Sequence, residues 1–193
     1  MDKQLVLASS SSFRRELLEK LGLKFICDSP DVDESPRTNE TPQQLVARLA
    51  QEKAKAVATR HPDALIIASD QCAVLDDNIL GKPDNHQAAV QQLKAASGKK
   101  VQFLTSLVLL NSNTGNLQIE VCPFFVYFRT LTNTEIEGYL NKEQPYNCAG
   151  SFKSEGLGIT LFKRLNGEDP NTLIGLPLIR LTAMLGKEGI SVY

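Results

Sequence analysis

Apolar residues along the chain fall into two patterns, short continuous runs and stripes at helical spacing. The runs predict strands at 4–8, 23–28, 64–71, 72–75, 79–80, 100–111, 117–129 and 159–165. The stripes predict helices at 13–22, 85–97, 132–142 and 176–187, and one that opens at Thr41 and carries its apolar face to Val57.

Capping residues support these helix starts. Ser11 or Ser12 can cap the first helix and Gly22 can end it, while capping boxes begin at Thr41 and Thr132. A polar segment at 111–116 predicts an antiparallel hairpin turn. Together the elements predict an α/β protein, with a mixed twisted sheet flanked by helices and a cleft between two lobes. We expect these elements to form a single domain over residues 1–193.

Composition narrows the class of protein. The hydrophobic fraction of 42% and charged fraction of 22% are typical of a folded globular chain. A net charge of −1 gives no general attraction to nucleic acid or to an anionic membrane, so neither is expected as a partner. The four cysteines lack metal-site spacing, and no apolar run is long enough for a signal peptide or a membrane span. We therefore expect reduced thiols and a cytoplasmic location.

The stretch Ala64 to Gln71 ends a buried apolar run in a hydroxyl, a carboxylate and an amide. Polar side chains at the end of a buried strand are typical of a ligand site in α/β folds. Asp70 is the central candidate. The alternative is that Ser69 and Asp70 only begin a turn.

Two further segments carry candidate chemistry near the N-terminus. Hydroxyl residues 9–12 followed by Arg14 and Arg15 at a helix start predict a receptor for phosphate oxygens, or else only a capped surface helix. The loop at 29–36 holds three acids, among them Glu34, which could bind a hard cation or be solvated surface.

A pair of opposite charges interrupts the apolar face of the helix that opens at Thr41. Glu52 and Lys53 fall on its inward side, where they could form a buried pair, extend to solvent, or reach a polar cleft. Lys82 lies between a glycine and a proline, which hold it more firmly than a solvated turn lysine. The glycine-rich loop at 148–158 either turns tightly or lets its backbone approach a ligand.

The two histidines, His61 and His86, have no nucleophile or carboxylate cluster beside them in the sequence. Histidine-dependent nucleophilic and metal chemistry is therefore weakly supported. Carboxylates, lysines and arginines remain, and this set suits phosphoanhydride chemistry with a divalent cation.

Seven motifs, in order and nearly throughout the chain, resemble the Maf family of nucleoside triphosphate pyrophosphatases. They are Ala8-Ser9-Ser10-Ser11 with Arg14-Arg15, Val32-Asp33-Glu34, Glu52-Lys53-Ala54, Ser69-Asp70-Gln71, Gly81-Lys82-Pro83, Gly150-Ser151-Phe152 and Gly175-Leu176-Pro177. Ser-Asp-Gln and Ser-Phe-Lys-Ser-Glu-Gly are similar to the branch that prefers 7-methyl-GTP. The fold that the resemblance implies is the Maf and inosine-triphosphatase type.

The resemblance implies hydrolysis between the α and β phosphates, giving a nucleoside monophosphate and pyrophosphate with Mg²⁺ or Mn²⁺. It makes Asp70 the proton acceptor and, with Glu34, a candidate metal ligand. The remaining positions that it marks are catalytic residues Lys53, Lys82 and Glu52, and substrate-binding or specificity residues Phe13, Gln71, Glu155, Ser9, Arg14 and Arg15.

The chemistry of these side chains agrees with the base preference that the resemblance implies. Methylation at N7 makes the purine cationic, so Phe13 can stack on it with cation–π attraction and Glu155 can accept its N–H bonds. The resemblance leads us to expect tryptophan at position 13, a better platform than the phenylalanine found there. Alternative functions are a dTTP and UTP pyrophosphatase, and a non-catalytic nucleotide-binding regulator of septum formation. A homodimer is a candidate oligomeric state that the sequence does not decide.

Overall fold

The computed structural model describes residues 3–193. Its strands are β1 (Gln4–Leu7), β2 (Phe25–Cys27), β3 (Ala64–Leu75), β4 (Asn78–Leu80), β5 (Lys100–Asn111), β6 (Leu117–Phe128) and β7 (Phe162–Asn166). Its helices are α1 (Ser12–Glu19), α2 (Pro42–Ala58), α3 (His86–Ala96), α4 (Asn133–Glu143), α5 (Pro170–Ile174) and α6 (Leu178–Lys187). Short 3₁₀ helices cover Ala149–Ser151 and Leu157–Leu161. Within the described residues, no helix combines the length and apolar character needed to cross a bilayer.

The strands form a mixed sheet in the order β2-β1-β3-β5-β6-β7, with β4 paired to β3. β1 runs parallel to both β2 and β3, whereas β4 is antiparallel to β3 and β7 is antiparallel to β6. Parallel pairs need a crossover connection, and α1 and α2 supply those on either side of β2. The predicted α/β class with a mixed sheet and flanking helices is confirmed.

The chain divides into two compact units. The first comprises the described chain up to Gln71 with Thr105–Cys122 and Asp169–Tyr193. The second comprises Cys72–Leu104 and Pro123–Glu168.

The first unit buries apolar side chains on both faces of its strands, as parallel strands require. Alternate residues Leu5 and Leu7 of β1 join the cluster that contains residues of α1 and α6. Val6 between them joins a second cluster, with Ala50 and Ala54 of α2. The period of two along β1 therefore separates two cores, and α2 covers one of them.

The second unit has an aromatic core. Phe128, Phe152 and Phe162 meet edge to face, and Phe103 contacts Phe152 in the same way, with ring centroids 4.8–5.6 Å apart. Such pairs add roughly 1 kcal/mol each beyond the area that they bury. The segment at 149–152 is thereby fixed in the second unit through Phe152.

The predicted caps are present. Ser11 Oγ accepts the backbone N–H of Arg14, and both capping boxes, at Thr41 and Thr132, form in full. Gly22 adopts a left-handed φ of 67° just beyond α1, as expected of a helix stop.

Several boundaries differ from the sequence prediction, among them those at Gln71, Phe162 and Leu178. β3 runs without a break through Asp70 and Gln71, so no strand ends there. The predicted strand at 159–165 begins only at Phe162, because the chain first makes a 3₁₀ helix; a Cβ on Gly158 would lie 2.3 Å from the Lys153 carbonyl oxygen. The last helix begins at Leu178, since Pro177 serves as its N-cap residue.

Candidate active site

Asp70 projects from the middle of β3 with its backbone held by two neighbouring elements. Its N–H donates to Ser106 Oγ on β5 at 3.0 Å, and that hydroxyl donates to the Val46 carbonyl of α2 at 2.7 Å. The preceding residue, Ser69, is fully buried and donates to the Gly175 carbonyl at 2.8 Å. The turn interpretation of Ser69 and Asp70 is wrong, because both residues belong to a continuous strand.

Lys53 joins two carboxylates. Its Nζ lies 2.5 Å from Asp70 Oδ1 and 2.7 Å from Glu34 Oε1. The Lys53 side chain is only 8% exposed and that of Asp70 13%, whereas Glu34 is 63% exposed. A buried ammonium is stable when carboxylates surround it, so this group is a built polar centre of the first unit.

Glu52, the neighbour of Lys53 in the sequence, takes part in a different group of charges. Its Oε1 lies 2.8 Å from Arg37 and its Oε2 lies 3.0 Å from Arg48. The two charges predicted to share the inward side of α2 thus bind separate partners. A catalytic role of Glu52 stays a prediction.

Ser9 and Arg14 form a second polar group at the start of α1. Ser9 is buried, and its Oγ accepts the Ser11 N–H at 3.1 Å and an Arg14 guanidinium N–H at 3.4 Å. Arg14 also donates Nε–H to the Gly175 carbonyl at 3.0 Å. Burial lowers the pKa of Arg14, and the negative charges of Asp70 and Glu34 oppose that shift. Arg14 is therefore coupled electrostatically to the carboxylate pair.

Arg15 points elsewhere. Its side chain is exposed and pairs with Glu19, one turn further along α1, at 2.9 Å. The phosphate-binding role predicted for Arg15 stays a prediction.

Two side chains predicted to choose the base also belong to the first unit. Phe13 is half-buried in the first turn of α1. The Gln71 amide nitrogen donates to Thr105 Oγ1 at 2.8 Å and to the carbonyls of Thr172 and Leu173 at 2.9 and 3.2 Å. These acceptors fix the orientation of the amide and leave Oε1 as the atom that can accept from a ligand.

The second unit carries Lys82 and Glu155, both with exposed side chains. Pro83 beside Lys82 is buried, and the Asp84 N–H donates to the Tyr146 carbonyl at 3.2 Å. Glu155 accepts a hydrogen bond from Ser154 at 3.2 Å. Their predicted roles stay predictions.

The contributions of Ser106 and Gly175 were not predicted from the sequence. Gly175 offers one carbonyl oxygen to both Ser69 and Arg14, and its φ of 124° is one that few side chains allow. The signal for Gly175 was its place in a Gly-Leu-Pro motif. The sequence of β5 does not distinguish Ser106 from its apolar neighbours in the core. Its side chain is completely buried, as theirs are.

The carboxylate pair is suited to a hard cation. Glu34 and Asp70 already meet one positive charge, the Lys53 ammonium, through oxygen atoms. Among residues 3–193 no cluster of three or more His, Cys, Asp or Glu is arranged to hold a metal ion. Two carboxylates nevertheless fit Mg²⁺ or Mn²⁺, which commonly complete their shells with water and substrate phosphates.

Residues 4–188 match the sequence model of the family described as Maf-like protein. The chain belongs to the Maf family. All seven motifs that indicated this family lie inside the matched segment. The predicted membership of the Maf family is confirmed.

Curated relatives cover nearly the whole chain. A protein of Alcanivorax borkumensis named 7-methyl-GTP pyrophosphatase is 60% identical over 188 residues, 97% of this chain and 95% of its own length. A protein of Pseudomonas savastanoi pv. phaseolicola with the same name is also 60% identical, over 97% of this chain and 98% of its own length. Both names denote the branch that the Ser-Asp-Gln motif indicated.

The fold has a counterpart among solved structures. The structure of the Staphylococcus aureus Ham1 protein superposes with a TM-score of 0.54 at 15% identity, covering 96% of this chain and 100% of that one. At this identity the likeness concerns the fold alone.

Proposed function

We propose that this Maf protein is a nucleoside triphosphate pyrophosphatase that hydrolyses 7-methyl-GTP to 7-methyl-GMP and pyrophosphate. The observation that carries the proposal is the Asp70–Lys53–Glu34 centre, in a chain 60% identical to proteins named for this activity. As a hydrolase, it acts on an acid anhydride and uses water as its second substrate.

Asp70 is the general base in this proposal. Lys53 bonds Oδ1 of Asp70. Within residues 3–193, Oδ2 is therefore the oxygen of Asp70 that can face a water molecule. The water gives its proton to Asp70 as its oxygen bonds to the α-phosphorus. The bond from that phosphorus to the α–β bridging oxygen breaks, and pyrophosphate leaves with this oxygen. A positioned base contributes typically about 10²- to 10⁴-fold to such a rate.

Cationic side chains compensate the charge on the triphosphate. Lys53 and Arg14 supply this charge in the first unit, with Ser9 as the hydroxyl beside Arg14. We assign Lys82 in the second unit and Arg15 the same task. Preorganised cations lower the barrier because charge develops on the phosphate oxygens during transfer.

Glu34 and Asp70 would hold Mg²⁺ or Mn²⁺. When bound, the ion would neutralise phosphate oxygens as a Lewis acid. The donor set supports this assignment, since both groups offer the carboxylate oxygens that hard cations prefer.

Phe13, Gln71 and Glu155 are our candidates for selecting the base. The aromatic face of Phe13 suits a cationic purine, and Gln71 Oε1 and the Glu155 carboxylate suit its N–H donors. Uracil and thymine offer a single N–H and two carbonyl acceptors, so a carboxylate favours them less.

Hydrolysis of a set of nucleotides tests the proposal. With Mg²⁺ or Mn²⁺, purified protein should release pyrophosphate from 7-methyl-GTP much faster than from GTP, dTTP or UTP. Faster release from dTTP and UTP would assign the chain to the pyrimidine-specific alternative. Nucleotide binding without release of pyrophosphate would favour the regulator of septum formation. A cytoplasmic location and a homodimer stay predictions.

A further inference from the structure

The segment at 28–40 carries Glu34 but has little apolar anchoring. The side chains at 33–39 are all exposed, and Val32 is only half-buried. Burial of apolar area therefore cannot fix the position of Glu34. Polar contacts restrain it instead, both within the segment, where the Ser35 N–H donates to Asp33 Oδ1 at 2.9 Å, and from α2 and the residues just after it.

Arg48 bonds the backbone next to Glu34 and a carboxylate further along the segment. Its guanidinium bonds both oxygens of Glu40, at 2.6 and 2.8 Å, and the carbonyl oxygen of Ser35 at 3.0 Å. A third nitrogen reaches Glu52 at 3.0 Å. The Arg48 side chain is only 13% exposed, and such a forked arrangement restrains a carboxylate and a carbonyl in fixed directions.

The charges of this network persist over the ordinary pH range. Hydrogen bonds from Arg48 are the main cause that holds the pKa of Glu40 at about 2. The bond from Glu40 in turn raises the pKa of Arg48. Both partners therefore stay ionised at any pH well above 2.

A second arginine holds the other end of the segment. Arg60, just beyond α2, bonds both oxygens of Asp28 and the carbonyl of Ser29. Asp28 is six positions from Glu34, whereas Ser35 is its neighbour. Arg48 therefore restrains the backbone on which Glu34 directly depends.

We propose that Arg48 is a positioning residue, which holds Glu34 at Lys53 through its bonds to the Ser35 carbonyl and to Glu40. This inference rests on the proposed function, in which Glu34 contributes to turnover. Arg48 does not touch the substrate; its effect on the reaction passes through Glu34.

A double-mutant cycle tests the proposal. We expect Arg48→Met and Glu34→Gln to lower kcat for 7-methyl-GTP by similar factors, on the order of 10-fold. The double variant should be no slower than the slower single variant, because both changes remove the same contribution. Losses that multiply in the double variant would overturn the proposal.

Hydrogen exchange of the segment provides a readout independent of activity. Amides at 29–40 should exchange faster in Arg48→Met and in Glu40→Gln than in the unmodified protein. Glu40→Gln keeps the shape of the network and covers the case in which Arg48→Met fails to fold. Unchanged exchange in a folded Arg48 or Glu40 variant would overturn the proposal.

Arg129→Met is the matched control. Arg129 also bonds a backbone carbonyl, that of Thr160, and a carboxylate, that of Glu135, but it belongs to the second unit. Its substitution should leave kcat and the exchange of 29–40 unchanged. If Glu34→Gln keeps the original kcat, the role of Glu34 in the proposed function fails; exchange alone then decides whether Arg48 holds the segment.

Discussion

The Nζ of Lys53 donates to Oδ1 of Asp70 at 2.5 Å, although 17 positions separate the two residues. One projects from the middle of a helix and the other from the middle of a strand. Their side chains are both largely withdrawn from water, so each charge compensates part of the other.

Asp70→Asn should lower kcat by about 10²- to 10⁴-fold, because the amide cannot accept the proton from water. Binding of 7-methyl-GTP, measured by calorimetry, should survive the change. Asp63→Asn is the control, since Asp63 is an exposed aspartate just before the same strand. Turnover unchanged in Asp70→Asn would refute the assignment of the base.

Lys53→Met should reduce both activity and stability. The substitution removes the one cation that bonds Asp70 directly among the described residues, and loss of one partner from a buried pair costs about 3 kcal/mol. Urea denaturation measures the free energy of unfolding. Introducing Asp70→Asn alongside Lys53→Met should recover part of the stability but none of the activity, and an additive loss would contradict the coupling.

Removal of divalent cations should abolish release of pyrophosphate, and Mg²⁺ or Mn²⁺ should restore it. Binding of Mn²⁺, followed by its paramagnetic resonance signal, should weaken in Glu34→Gln and in Asp70→Asn, because each loses one carboxylate ligand. Full activity in the presence of EDTA would argue against the metal.

Phe13→Ala should reduce the preference for 7-methyl-GTP over GTP. A cation–π contact of about 0.5–2 kcal/mol corresponds to roughly a 2- to 30-fold change in the ratio of the two kcat/KM values. Phe13→Trp should raise that ratio, since indole is the better platform. GTP is the internal control, as it lacks the positive charge. Equal ratios in all three proteins would remove Phe13 from the specificity residues.

The low pKa of Asp28 predicts that the folded protein loses stability in acid. The bond from Arg60, assisted by His61, holds the pKa of Asp28 at about 2 in the folded protein. Because this pKa is below its unfolded value, the stabilisation is present above about pH 4 and disappears as the pH falls through about 2. After allowance for solvent screening, it is on the order of 1 kcal/mol.

Unfolding in urea between pH 2 and 5 measures this effect. Asp28→Asn should be less stable than the unmodified protein at pH 5 and should lose less stability on acidification. Asp31→Asn, an exposed carboxylate in the same segment, is the control. Parallel pH curves for Asp28→Asn and the unmodified protein would contradict the prediction.

Much of the fold followed from the sequence alone. Apolar periodicity and capping residues such as Thr41 and Thr132 are local properties, so they predicted most elements before any contact was known. The ordered motifs also gave the family. Local patterns failed at 159–161, where a 3₁₀ helix takes the place of the first residues of the predicted strand; Gly158 in this helix lies too close to the Lys153 carbonyl to carry a side chain.

Only the tertiary structure decided which charges meet. Helical spacing put Glu52 and Lys53 on the same side of α2, yet Lys53 reaches Asp70 and Glu34 while Glu52 binds two arginines. Periodicity marks the face that a side chain occupies, but not the element that packs opposite it. The sequence therefore determined the set of ionisable residues, and the packing of α2 against β3 and beside the segment at 28–40 determined how they are joined.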